Sequence, residues 1–168
     1  MTLANYLYAL VYSGMYNEYK WQKWAERLLT DADFNDDTEW VYDVVFTNNR
    51  LRLFEVISER MLCENYLNFN DNTLTEIIQG YYYHQYLSNE ISLYELLDKS
   101  GNVEDAGEGA VGCEFFYGLL NSMDDDSDII YSKEFVEKVA VYFQPLMIAA
   151  MEQKRKLESA TISDLKLT

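Results

Sequence analysis

SKEFVEKVAVYFQPLMIAAMEQKRKL, residues 132–157, is the stretch whose reading decides the fold. Phe135, Val136, Val139, Tyr142, Phe143, Leu146, Met147, Ala150 and Met151 recur at the three- and four-residue spacing of one helical face. Ser132 stands where an N-cap is needed. The pattern predicts the longest helix of the chain, from Lys133 to about Leu157, as a central packing element. Pro145 falls inside it, where it removes a backbone hydrogen bond and is expected to kink the helix near Val141.

Upstream, the same period repeats in shorter runs. Thr2 caps a helix containing Leu3, Tyr6, Leu7, Leu10 and Val11, with Gly14 placed to end it. A second runs from Asn17 to about Leu29, with Tyr19, Trp21, Trp24, Ala25, Leu28 and Leu29 apolar and its remaining surface carrying Lys20, Lys23 and Arg27. Asp36 and Glu39 have capping-box spacing and open a third. Residues 40–47 are rich in β-branched and aromatic types and also suit a strand, but the helical spacing of Trp40, Val41, Val44 and Val45 is preferred. After Asn48 and Asn49 comes a fourth helix with Leu51, Leu53, Phe54, Val56, Ile57, Met61, Leu62 and Tyr66 as its apolar face. A polar loop at Asn68–Asn72 separates it from a fifth, opened by a Thr73/Glu76 capping box. Ser92/Glu95 opens a short sixth that Gly101 is expected to close, and Gly101–Gly112 reads as a mobile loop. A seventh follows, with Val111, Phe115, Phe116, Leu119 and Leu120 spaced for burial, and the acidic run Asp124–Asp128 ends it. The expected fold is all-α: a single-domain bundle of about seven to eight helices over residues 1–158, with a flexible tail at 159–168.

Composition agrees with a packed fold. Of 168 residues 49% are hydrophobic and 15% aromatic, with one proline, so the chain is far from an acidic disordered tail. No apolar run approaches the roughly 18 residues of a membrane span and no leader pattern opens the chain, which argues for a cytoplasmic, soluble protein without membrane contact. Cys63 and Cys113, in apolar surroundings at no metal-like spacing, read as buried core thiols.

Charge is the other organising feature. The formal net charge is −16, and the stretch from Asp71 to Tyr131 alone has thirteen acids against Lys99, a net −12. That charge repels phosphates and anionic lipid, excludes direct nucleic-acid binding, and steers the chain toward cationic proteins. The plain alternative is that it only keeps the protein dispersed.

Motifs for other chemistry fall short. Asp31, Asp33, Asn35 and Asp37 alternate like calcium ligands, but the sixth position is Asp36 instead of glycine and the twelfth is Tyr42 instead of a bidentate glutamate. Asp124, Asp126 and Asp128 repeat the alternation with no closing glutamate. His84 is the only imidazole, so histidine pairs and multi-histidine zinc sites are excluded by count, and a helix histidine bonded to a neighbour is the simpler reading. The glycines of residues 101–112 are flanked by Glu104, Asp105 and Glu108, which oppose a phosphate. No catalytic residue, metal ligand or cofactor is assigned.

What remains is recognition of a protein. Tyr81, Tyr82 and Tyr83 point about 100 degrees apart on a helix, so at least one is expected at the surface unless the helix is buried nearly all round. Exposed tyrosines beside carboxylates suit an interface with Lys and Arg, although most tyrosines fill core edges with the hydroxyl in water. Through Gly80–His84, Ile91–Leu97 and Gly112–Leu120, together with its size and acidity, the chain resembles the small acidic immunity proteins that bacteria make against toxins of polymorphic and contact-dependent systems. The resemblance implies a non-enzymatic protein that occludes the active site or a partner-binding surface of a cognate basic toxin, often a nuclease. The contact residues expected on that reading are Tyr82, Tyr83, Glu104, Asp105, Glu108, Asp124, Asp125 and Asp126. A phage-type nucleic-acid mimic acting on a host defence enzyme is the alternative, and an enzyme using His84 the third.

Overall fold

The computed structural model describes residues 2–30, 34–63, 73–106 and 111–165. Among them are eight α-helices and no strand: α1 (Leu3–Tyr12), α2 (Glu18–Leu29), α3 (Glu39–Phe46), α4 (Arg50–Cys63), α5 (Leu74–Leu87), α6 (Leu93–Asp105), α7 (Glu114–Asp125) and α8 (Lys133–Ser159). Two 3₁₀ turns complete them, at Ser127–Tyr131 and Ile162–Leu165. The fold is all-α, residues 40–46 are helical, and α8 is the long C-terminal helix expected.

Local chemistry explains the helix starts. Thr2, Asn17, Thr73 and Ser92 each accept a backbone N–H with the side chain, and the last two form full capping boxes with Glu76 and Glu95. Ser132 Oγ accepts from the Phe135 N–H at 3.2 Å. Gly14 takes φ 82°, the left-handed geometry that turns the chain out of α1. The Asp36/Glu39 box does not form: Thr38 is the N-cap of α3, and Asn35 and Thr38 instead exchange bonds, Asn35 N to Thr38 Oγ1 at 3.0 Å and Thr38 N to Asn35 Oδ1 at 3.2 Å. Asp31 and Asp33 of the calcium-like run, the loop at 68–72 and Tyr66 lie outside the described residues.

Gly101 does not end α6, which continues to Asp105. A Cβ there would lie 2.9 Å from the Tyr117 ring, so the glycine admits close packing of α7. Two expected core leucines of α4, Leu51 and Leu62, are exposed, because Leu53, Val56, Ile57 and Met61 define the buried face. The cysteines are not core either: Cys63 is exposed at the end of α4, and Cys113 is partly exposed at the start of α7.

The chain gathers into two compact units, Met1–Asn70 with Glu152–Thr168, and Asp71–Met151. In the first, α1 to α4 and the end of α8 bury Leu7, Leu10, Trp21, Trp24, Val41 and Ile57. Trp21 Nε1 donates to the Thr47 carbonyl at 3.2 Å and Trp24 Nε1 to the Leu157 carbonyl at 3.0 Å, so both indoles satisfy their polar atom. Residues 160–165, expected within a flexible tail, pack in this unit. Leu165 is buried, and the buried Arg60 donates to its carbonyl at 2.8 Å.

In the second unit α5 is buried on almost every side, from Thr75 through Tyr83. Tyr81 OH donates to the Ala150 carbonyl at 2.9 Å. Phe116, Tyr142 and Phe143 form a ring cluster, and Tyr83 stacks on Phe143 with centroids 5.4 Å apart. Pro145 lies on the exposed side of α8.

Candidate functional site

The tyrosine triplet is interior. Tyr81, Tyr82 and Tyr83 are 0%, 6% and 7% exposed, which corrects the expectation that at least one reaches the surface. The reason is the burial of α5 all round, the one arrangement in which side chains 100 degrees apart are all covered. Tyr82 has the Lys99 ammonium 5.5 Å from its ring centroid.

Glu104 is also buried. The fully buried Gln79 donates through Nε2 to Glu104 Oε2 at 3.0 Å and to the Ser100 carbonyl at 3.4 Å, while Tyr142 OH donates to Gln79 Oε1 at 2.7 Å. One amide thus links α8 to α6 through α5. Burial, then the nearby charges of Glu104 and Glu76, push the Tyr142 hydroxyl well above the usual tyrosine range. This is a supporting network for the helices, not a surface for a partner.

The remaining residues divide. Glu108 lies outside the described residues. Asp105 is exposed at the C-terminus of α6, where it accepts a bond from the Cys113 thiol at 3.8 Å. Burial and the charges of Glu114 and Asp105 push that thiol above its usual range, which makes it a poor nucleophile. Asp124, Asp125 and Asp126 are exposed at the opposite end of α7. Eleven residues of helical rise, about 16 Å, separate Cys113 from Asp124, so Asp105 and the aspartate run belong to different places.

The aspartate run has its own geometry. Asp124 and Asp125 occupy the last turn of α7, and Asp126 leaves the helix with φ −143° and ψ 100°. Its Oδ1 accepts from the Asp128 N–H at 3.0 Å and so starts the 3₁₀ turn. Carboxylates at a helix C-terminus face the negative end of the macrodipole, each costing about 0.3–1 kcal/mol. None of Asp124, Asp125, Asp126 and Asp128 has an ion-pair partner among the described residues. The turn closes on Tyr131, 80% exposed. Sequence reasoning passed over this tyrosine in favour of the triplet, although it follows an acidic run and adds to no periodic apolar face.

Across residues 71–151 fifteen acids face three bases. Lys133 pairs with Glu137 at 3.5 Å, and Lys138 lies 5.5 Å from the Phe115 ring centroid. With Lys99 over Tyr82, each base has a local partner, and the surface keeps a strong negative field.

No group of three or more His, Cys, Asp or Glu side chains among the described residues is arranged to hold a metal. His84 is partly buried in the last turn of α5. No helix among them is long and apolar enough to cross a membrane. No family model, curated protein or solved structure matches the chain.

Proposed function

We propose that this protein is a non-enzymatic inhibitor that captures a cationic protein through the acidic end of α7 and the 3₁₀ turn, in the manner of an immunity protein neutralising a basic toxin. The observation that supports the reading is the exposed run Asp124–Asp126 with Asp128, held without ion-pair partners among the described residues, with Asp124 and Asp125 in the last turn of α7, where the macrodipole disfavours carboxylates. Acids retained against local stability have a use elsewhere, and a Lys- or Arg-rich surface supplies the missing counter-charge. Tyr131 adds an aromatic anchor beside them, and desolvated aromatics hold an interface more tightly than rim charges do.

The division of labour follows from electrostatics. The negative field of residues 71–151 accelerates encounter, with a rate that falls as salt rises. Tyr131 and the aspartates then set the dissociation rate. Tyr82, Tyr83 and Glu104 act only by keeping α5, α6 and α8 together.

The test is capture from the native host at low and moderate salt, comparing the wild type with Asp124→Asn/Asp125→Asn/Asp126→Asn. One basic partner, lost in the variant and inhibited at equimolar ratio when purified, is the expected result. A captured partner that normally binds DNA and releases it on capture points to nucleic-acid mimicry instead. Absence of any salt-sensitive partner removes the inhibitor reading.

A further inference from the structure

The unit formed by Met1–Asn70 and Glu152–Thr168 carries a feature of opposite sign. A cavity of about 490 Å³ opens between α2 and the C-terminal end of α8, within the size range of small-molecule sites. Its charged lining is Lys20, Lys23, Arg27 and Lys154 against the single carboxylate of Glu158. Four cations around one opening are out of proportion in a chain of net charge −16.

Their partners leave most of that charge uncompensated. Lys154 pairs with Glu158, which also accepts from Tyr16 OH at 3.3 Å, so these two charges cancel. Arg27 donates to the carbonyls of Ala160 and Leu157 at 3.0 and 3.3 Å, and Lys20 to the carbonyl of Met15 at 2.8 Å. Carbonyls order the side chains without neutralising them. Lys23 reaches Glu26 only at 3.8 Å, with both side chains more than half exposed. The walls are aromatic: Trp24 lies in the lining, and Tyr19 is 68% exposed with the Lys23 ammonium 5.6 Å from its ring centroid.

We propose that this cavity binds a small phosphate monoester that also bears a planar ring, of the class of a nucleoside monophosphate. Lysine ammonium groups are point charges suited to a tetrahedral phosphate, while the one guanidinium is already directed at carbonyls and unavailable as a fork for a planar carboxylate. Tyr19 offers a face for the ring beside the charge. A compact dianion fits because the local field is positive, whereas a long polyanion is repelled by a chain of net charge −16. The site is independent of the aspartate run and carries a second, ligand-binding function.

Titration of the ¹⁵N-labelled full chain at low salt with AMP, adenosine and inorganic phosphate tests this. AMP is expected to shift the Trp24 indole and the α2 amides, and to bind more tightly than adenosine or phosphate. Removing two charge-assisted contacts in Lys20→Ala/Lys23→Ala should weaken AMP about tenfold or more. Lys23→Glu, a single change at an exposed side chain, keeps the test valid if the double variant folds poorly. Adenosine binding as well as AMP, equal affinity in wild type and Lys23→Glu, or AMP-induced shifts confined to residues outside the cavity would each overturn the proposal.

Discussion

Gly80 of α5 lies against the backbone of α8 at Leu146, so closely that a Cβ on Gly80 would come within 2.6 Å of the Leu146 carbonyl carbon and 2.9 Å of the Met147 nitrogen. Backbone cannot move aside as a flexible side chain does, so the two helices of this unit meet at a position only glycine permits. Next to it, Tyr81 OH donates to the Ala150 carbonyl one turn along α8.

Gly80→Ala therefore has two opposed effects. Alanine favours the helix by about 1 kcal/mol, while forcing the backbones apart loosens a core that includes Tyr81 and Phe143. Overpacking wins, and the net loss is expected to be about 2 kcal/mol or more, read as a lower urea midpoint. An unchanged or raised midpoint would show that α5 and α8 separate at no cost.

The Tyr142 hydroxyl gives a pH signature. Its folded-state pKa is raised above the ordinary value of about 10 by burial and then by Glu104 and Glu76. Above pH of about 10 the unfolded chain releases a proton that the folded chain retains, so stability present below that pH declines as pH rises further. Tyr16, raised by burial and by Glu158, adds a decline of the same sign. Tyr142→Phe should lower stability at pH 7 by about 1 kcal/mol through loss of the bond to Gln79, and should flatten the alkaline slope. Urea midpoints from pH 8 to 11 for both proteins decide it.

What could be read from the sequence was what depends on neighbours along the chain. The boxes Thr73/Glu76 and Ser92/Glu95 close within four residues, and α8 announces itself through a period sustained from Phe135 to Met151. Gly101 was misread because a helix-ending glycine and a glycine under a ring look alike until Tyr117 is placed over it. Tyr82, Tyr83 and Glu104 were misplaced for the same reason: their covering comes from other helices, which local periodicity does not report. Asp124, Asp125 and Asp126 are exposed, because four carboxylates within five residues have no core that accepts them.

The C-terminal segment should be essential to the first unit. Arg60, 8% exposed, donates to the Leu165 carbonyl and lies with its guanidinium 5.7 Å from the Trp40 ring centroid. Truncation after Thr161 removes that acceptor and exposes the surface that Leu165 covers. A loss of about 2 kcal/mol or more is expected, from the lost hydrogen bond of a buried guanidinium and the lost apolar burial. Thermal unfolding of the truncated chain checks this, and an unchanged midpoint would mean that water replaces the carbonyl without penalty.

The aspartate run predicts stability and function moving in opposite directions. Asp124→Asn/Asp125→Asn removes two negative charges from the C-terminal turn of α7, where the macrodipole disfavours each by about 0.3–1 kcal/mol. The variant should unfold at higher urea than the wild type, most clearly at low salt, where screening is weakest. Its association with a cationic partner should at the same time slow and lose part of its salt dependence. Acids serving only to keep the protein dispersed would give the stability gain with no change in binding. Acids needed by the fold would give a loss of stability. Only carboxylates kept for a partner give higher stability together with slower association, and that pairing separates recognition from solubility in one variant.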